Sequence, residues 1–87
     1  MSNVIGVRHD LDEDYLVLEN PGEYGKDLDG QWYMRVPAIG FGMGCLSSHE
    51  IVEHENGTIT VSPSILCTGH NGRQWHGYLE QGIWRET

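Results

Sequence analysis

Hydrophobic residues in this chain come in short runs, cut by glycine, proline, asparagine or aspartate before a helix could complete three turns. No stretch of eleven residues carries an apolar i, i+3, i+4, i+7 stripe free of glycine or proline, the pattern an amphipathic helix requires. β-Branched and aromatic residues fill the runs instead, and these suit a pleated, half-buried surface. The predicted strands are Val4 to Val7, Tyr15 to Leu18, Gln31 to Val36, Glu50 to Glu53, Thr58 to Val61, Trp75 to Leu79 and Ile83 to Arg85. In the fifth of these Ile59 and Val61 share one face and Thr58 and Thr60 the other, as in a strand with one side buried.

Turn chemistry punctuates the runs. Asn20-Pro21-Gly22 ends the second, Asp29-Gly30 precedes the third, and Pro37 stops it. Asn56-Gly57 predicts a two-residue type I′ hairpin with positive φ at both residues. Gln81-Gly82 suggests another hairpin, after a loop at His70-Asn71-Gly72-Arg73. Ser47 and Glu50 have capping-box spacing for a short helix over Leu46 to Glu55, but the run ends at a hairpin turn, which favours a strand. Pro63 cannot donate to a ladder, so Ser62-Pro63-Ser64 predicts a bulge or a strand exit. The expectation is an all-β, single-domain fold over residues 1–87: a small barrel or sandwich of six or seven short antiparallel strands with little helix. Trp32, Trp75 and Trp84 each lie near a turn and are expected to plug the ends of its core.

Composition narrows the function. With 87 residues the chain supports one small core, which excludes an enzyme built from separate cofactor and substrate domains. Thirteen acidic against five basic residues give a net charge of −8, and so few cations argue against direct nucleic-acid binding, which depends on Lys and Arg at phosphates. The charge is uneven. Residues 1–30 hold eight acids against Arg8 and Lys26, a net of −6, whereas residues 31–87 are close to balanced at −2. The beginning of the chain offers no apolar run long enough for a signal peptide or a membrane helix, so a cytoplasmic location without membrane contact is expected. Cys45 and Cys67 are then expected as thiols.

Four constellations could carry chemistry. The acidic pole, with Asp10, Asp12, Glu13, Asp14 and Glu23, suits a protein partner with a basic surface. Asp10 to Asp14 begins like a calcium loop, but Tyr15 stands where that loop needs glycine and Pro21 where it needs glutamate. Glycine alternates through Ile39 to Gly44, so Phe41 and Met43 are expected as exposed apolar contacts for the same partner. Cys45 and His49, then Cys67 and His70 after a gap of seventeen residues, offer a Cys2His2 set for zinc; otherwise no cofactor is called for. Ser62, Ser64, Arg73, His76 and Tyr78 could line a polar pocket for a small nucleotide-like anion. The G-x-S-x-G elbow is missing and nothing in the sequence orders a triad, so no enzymatic activity is expected.

The stretch from Thr58 to Trp84, with Thr60-Val61-Ser62-Pro63-Ser64-Ile65 followed by Trp75-His76-Gly77-Tyr78 and Gly82-Ile83-Trp84, resembles a family of short proteins of unknown function encoded widely in bacteriophage genomes. Many members of that family carry an upstream cysteine-rich knuckle ending in histidine; here only Cys45 and His49 occupy its place. The resemblance implies a phage-like accessory protein in the cytoplasm of a bacterial host, acting by binding and inhibiting a host defence protein through its acidic surface. A sponge for a nucleotide signal and a virion or assembly component are the alternatives, and a second copy of the chain is an allowed partner.

Overall fold

The computed structural model describes residues 3–12 and 17–87. Among them nine strands and no helix form two sheets. The first sheet joins β1 (Asn3–Ile5), β9 (Ile83–Glu86), β8 (Gln74–Glu80), β7 (Ile59–Thr68) and β6 (Glu50–Glu53) in that order, all antiparallel. The second joins β2 (Val7–Arg8), β3 (Glu23–Lys26), β4 (Trp32–Met34) and β5 (Gly44–Cys45). The all-β expectation holds, with nine strands rather than six or seven, of which β7 is ten residues long. The sheets do not close into a barrel, and β2 runs parallel to β3, so the fold is not purely antiparallel.

The expected strand Val4 to Val7 is divided between the sheets. Gly6 donates to the Gly82 carbonyl at 2.7 Å while Val7 donates to that of Gly22 at 3.1 Å, and the chain changes sheet between them. Of the expected strand Tyr15 to Leu18, Tyr15 and Leu16 lie outside the described residues, and Val17 and Leu18 are irregular. The neighbouring Glu23–Lys26 is the strand that forms, since its Tyr24 reaches the core and its partner across the turn is β4.

Three hairpins share one turn. In His54 to Thr58, Gly69 to Arg73 and Asp27 to Gln31 the first residue donates to the carbonyl of the fifth, and the fourth, a glycine, donates back to that of the first. The glycines, Gly57, Gly72 and Gly30, have φ between 81° and 87°, a left-handed conformation that closes such a loop with a bulge. Asn56 accepts from the Thr58 N–H and Asn71 from that of Arg73, at 3.1 Å each. The hairpin expected at Asn56-Gly57 is therefore present, but it is not the type I′ turn; positive φ at two successive residues occurs at Gln81 (50°) and Gly82 (76°).

The core lies between the sheets. Ile59, Val61, Ile65, Trp75, Leu79 and Trp84 contribute from the first, and Tyr24, Met34, Val36, Phe41 and Leu46 from the second sheet and its loops. Each buried Val, Leu or Ile contributes about 1.5–3 kcal/mol. Strand β8 shows the alternation cleanly, with Trp75, Gly77 and Leu79 inward and His76, Tyr78 and Glu80 outward. Trp75 and Trp84 meet edge to face, 5.6 Å apart at 84°. Trp32 is half-buried and packs against this core, its outer face under two cations, Arg8 at 5.0 Å and Lys26 at 5.6 Å from its ring centre.

Candidate functional site

The hairpin between β3 and β4 carries Asp27 and Asp29 in its turn. Its turn is fixed by Asp27, whose Oδ1 accepts from the backbone N–H of Asp29 at 3.0 Å and of Gln31 at 2.9 Å. That turn lifts Leu28 to its tip with 74% of its surface exposed. Beneath it opens a cleft of about 340 Å³ lined by Leu11, Asp12, Asp27, Leu28, Asp29, Tyr33 and Met43. Three carboxylates thus stand around an apolar and aromatic floor. Burial, reinforced by the charge of Asp27, pushes the Tyr33 phenol up, so it remains a neutral donor. Of the expected partner contacts, Asp12 and Met43 belong to this cleft; Leu28, Asp29 and Tyr33 were not singled out, because Asp29-Gly30 read only as a turn.

Other members of that set are employed inside the fold. Asp10 makes a two-pronged pair with Arg8, Oδ1 to Nε at 2.9 Å and Oδ2 to Nη2 at 3.1 Å, and accepts from the Lys26 N–H. The guanidinium holds the Asp10 carboxyl below the usual range. Glu23 is buried, a correction to its place on a docking surface: its Oε1 accepts from the backbone N–H groups of Glu19 (3.0 Å) and Asn20 (3.1 Å), tying the irregular segment to β3. Phe41 is also buried rather than displayed, since it joins the core beneath Gly69 and carries the Arg73 guanidinium 5.9 Å above its ring. Glu13 and Asp14 lie outside the described residues.

The four zinc candidates are not brought together. Among the described residues no three His, Cys, Asp or Glu side chains gather as a metal site. Cys45 is exposed at the edge of the second sheet, while Cys67 lies half-buried in the first, where burial pushes its thiol up. The His49 ring turns instead to the Ser64 carbonyl, at 3.2 Å from Nε2.

The anion-pocket set is split. Ser64 and His76 meet, Oγ to Nε2 at 2.9 Å, and the Tyr78 ring stands 6.4 Å from that of His76. Arg73 is drawn away onto Phe41, and Ser62 pairs with Glu50 of β6. The register of β7 against β8 shifts between Val61 and Ile65, the irregularity that Pro63 predicts. Gly77 is a site of close approach that the chain itself fills: an added Cβ would run into the Arg85 carbonyl oxygen and the Trp75 ring.

Comparison of the chain with family models, curated proteins and solved structures finds no match. Among the described residues no helix is long and apolar enough to cross a membrane.

Proposed function

We propose that this chain is a binding protein that captures a basic protein surface in the cleft beneath the β3–β4 hairpin, in the manner of a phage accessory protein that inhibits a host defence protein. The observation that carries this reading is the composition of the cleft. Asp12, Asp27 and Asp29 supply negative charge, and Leu28, Leu11, Tyr33 and Met43 supply a surface for the stem of an arginine or lysine. Complementary charge steers encounter, and the exposed leucine adds desolvated contact. The phage setting rests on the motif likeness of residues 58–84, which lies largely in the other sheet.

Calorimetric titration with a leucine-containing oligoarginine peptide tests the cleft. Binding is expected at low salt, weakening as the Debye length shortens. The double variant Asp12→Lys/Asp29→Lys is expected to weaken it by up to about thirtyfold, two surface pairs lost at about 1 kcal/mol or less each. Equal binding by the double variant and the unaltered protein overturns the reading.

A further inference from the structure

The outer face of the five-stranded sheet holds a hydrogen-bonded chain from Ser64 through His76 to Thr87. Leu66 is opposite His76, so Ser64, two residues earlier in β7, is its diagonal neighbour on the same face. On the other side of β8, the Thr87 backbone N–H donates to the His76 carbonyl at 2.9 Å, placing the Thr87 hydroxyl against the ring. That hydroxyl also donates to the His76 carbonyl, at 3.2 Å. With that proton on the carbonyl, the oxygen accepts from His76 Nδ1–H, 2.9 Å away; in the other tautomer it donates to Nδ1 instead.

Of the two patterns, the one that activates Ser64 has the Thr87 hydroxyl accepting from Nδ1–H. Nδ1 carries the imidazole proton, Nε2 presents its lone pair, and Ser64 Oγ–H donates to it. The Ser64 carbonyl, held by His49 Nε2 at 3.2 Å, anchors the residue from its other side. A cleft of about 460 Å³ opens alongside, lined by Asn3, Tyr78, Glu80, Arg85, Glu86 and Thr87. Tyr78, 40% exposed, offers an aromatic wall beside the dyad.

We propose that Ser64 is an activated nucleophile that takes the acyl group of small aryl esters, with His76 as general base and Thr87 as a positioning residue. The activity is separate from the binding cleft of the other sheet. Ser64 Oγ bonds to the ester carbonyl carbon as its proton passes to His76 Nε2. The bond from that carbon to the aryl oxygen breaks, and the phenol leaves with the proton from His76. Water attacks the acyl-serine by the same path, releasing the carboxylic acid and restoring Ser64. The partner of Nδ1 is a hydroxyl, which orients the ring without supplying a counter-charge. The acceleration is therefore that of general-base catalysis by itself, about 10² to 10⁴-fold.

The test uses the full chain with two probes. A fluorophosphonate is expected to modify Ser64, forming the Oγ–P bond as fluoride departs, and peptide mapping by mass spectrometry locates it apart from the exposed Cys45 thiol. p-Nitrophenyl acetate turnover is expected to disappear in Ser64→Ala and to fall about 10² to 10⁴-fold in His76→Ala, with tryptophan fluorescence confirming that both variants fold. Thr87→Ser is expected to keep the turnover and its pH profile, and Thr87→Val to lower it. Labelling that maps elsewhere, labelling of Ser64 no faster than in the urea-unfolded chain, or turnover unchanged in His76→Ala overturns the proposal.

Discussion

Arg8 Nη1 donates to Glu53 Oε2 at 2.7 Å, an ion pair that ties β2 of one sheet to β6 of the other. The same nitrogen donates to the Gly57 carbonyl at 2.9 Å, and the guanidinium also engages Asp10 and covers the Trp32 ring. One side chain thus gathers two carboxylates, a turn and an aromatic face at the seam of the sandwich.

The clamp sets an acid dependence. Arg8 holds the Asp10 and Glu53 carboxyls below their ordinary values. The unfolded chain binds more protons in that range, so the stabilisation is complete above the unfolded pKa near 4 and is lost as pH falls through the lower folded values. Thermal unfolding followed from pH 7 downward is expected to show a flat Tm to about pH 5 and a decline below it. The double variant Asp10→Asn/Glu53→Gln is expected to flatten that decline; an identical acid limb would show that other carboxylates cause it.

Trp84 is wholly buried and its Nε1–H donates to the Gly22 carbonyl at 2.9 Å. Trp84→Ala is expected to cost about 3–5 kcal/mol. Trp84→Phe keeps most of the ring and removes only that bond, at about 0.5–1.5 kcal/mol, since the Gly22 carbonyl keeps the Val7 N–H. In a domain of this size each kcal/mol lowers Tm by roughly 4–8 °C, so calorimetry orders the two variants.

Glu23→Ala is expected to destabilise by about 1–3 kcal/mol, because the N–H groups of Glu19 and Asn20 lose their acceptor. Glu23→Gln keeps an oxygen for them and is expected to cost less. Urea unfolding midpoints measure the difference, and equal midpoints for the two variants would contradict the buried role of this carboxylate.

Leu28→Ser removes the apolar tip of the β3–β4 hairpin without touching the Asp27 bonds that shape it. Since Leu28 is exposed, stability is expected to stay within about 0.5 kcal/mol while affinity for the oligoarginine peptide falls. A parallel loss of Tm would mean that the leucine supports the fold instead.

The two thiols are expected to differ. Cys45 is exposed, whereas Cys67 is half-buried with its thiol pushed up by burial. The thiolate is the reacting species, so a disulfide reagent at neutral pH is expected to modify Cys45 first and Cys67 slowly, with urea bringing Cys67 to the rate of a free thiol. Simultaneous modification in the folded protein would contradict this placement.

The strand character of β8 was legible in residues 75–79, where inward and outward positions alternate, because alternation is a local property of the pleat. Asp-Gly and Asn-Gly likewise marked three turns, although at Asn56-Gly57 only the glycine takes the positive φ expected of both residues, while Asn56 and Asn71 hold their loops with their side chains. The acidic pole was legible as charge but not as a surface. Glu23 and Asp29 look alike in the chain, yet one caps a buried segment and the other lines a cleft.

What the sequence by itself determined is the all-β character, the position of the turns and the concentration of charge in the first third, since each depends on neighbours a few residues apart. The tertiary structure decided that Val4 to Val7 changes sheet at Gly6, that Phe41 enters the core, and that the zinc candidates remain apart. It also decided that Ser64, His76 and Thr87 meet. These depend on strand register and on which faces of two sheets are pressed together, and a shift of one residue reverses every side chain. Packing across the whole molecule fixes that choice, and no local pattern in the chain contains it.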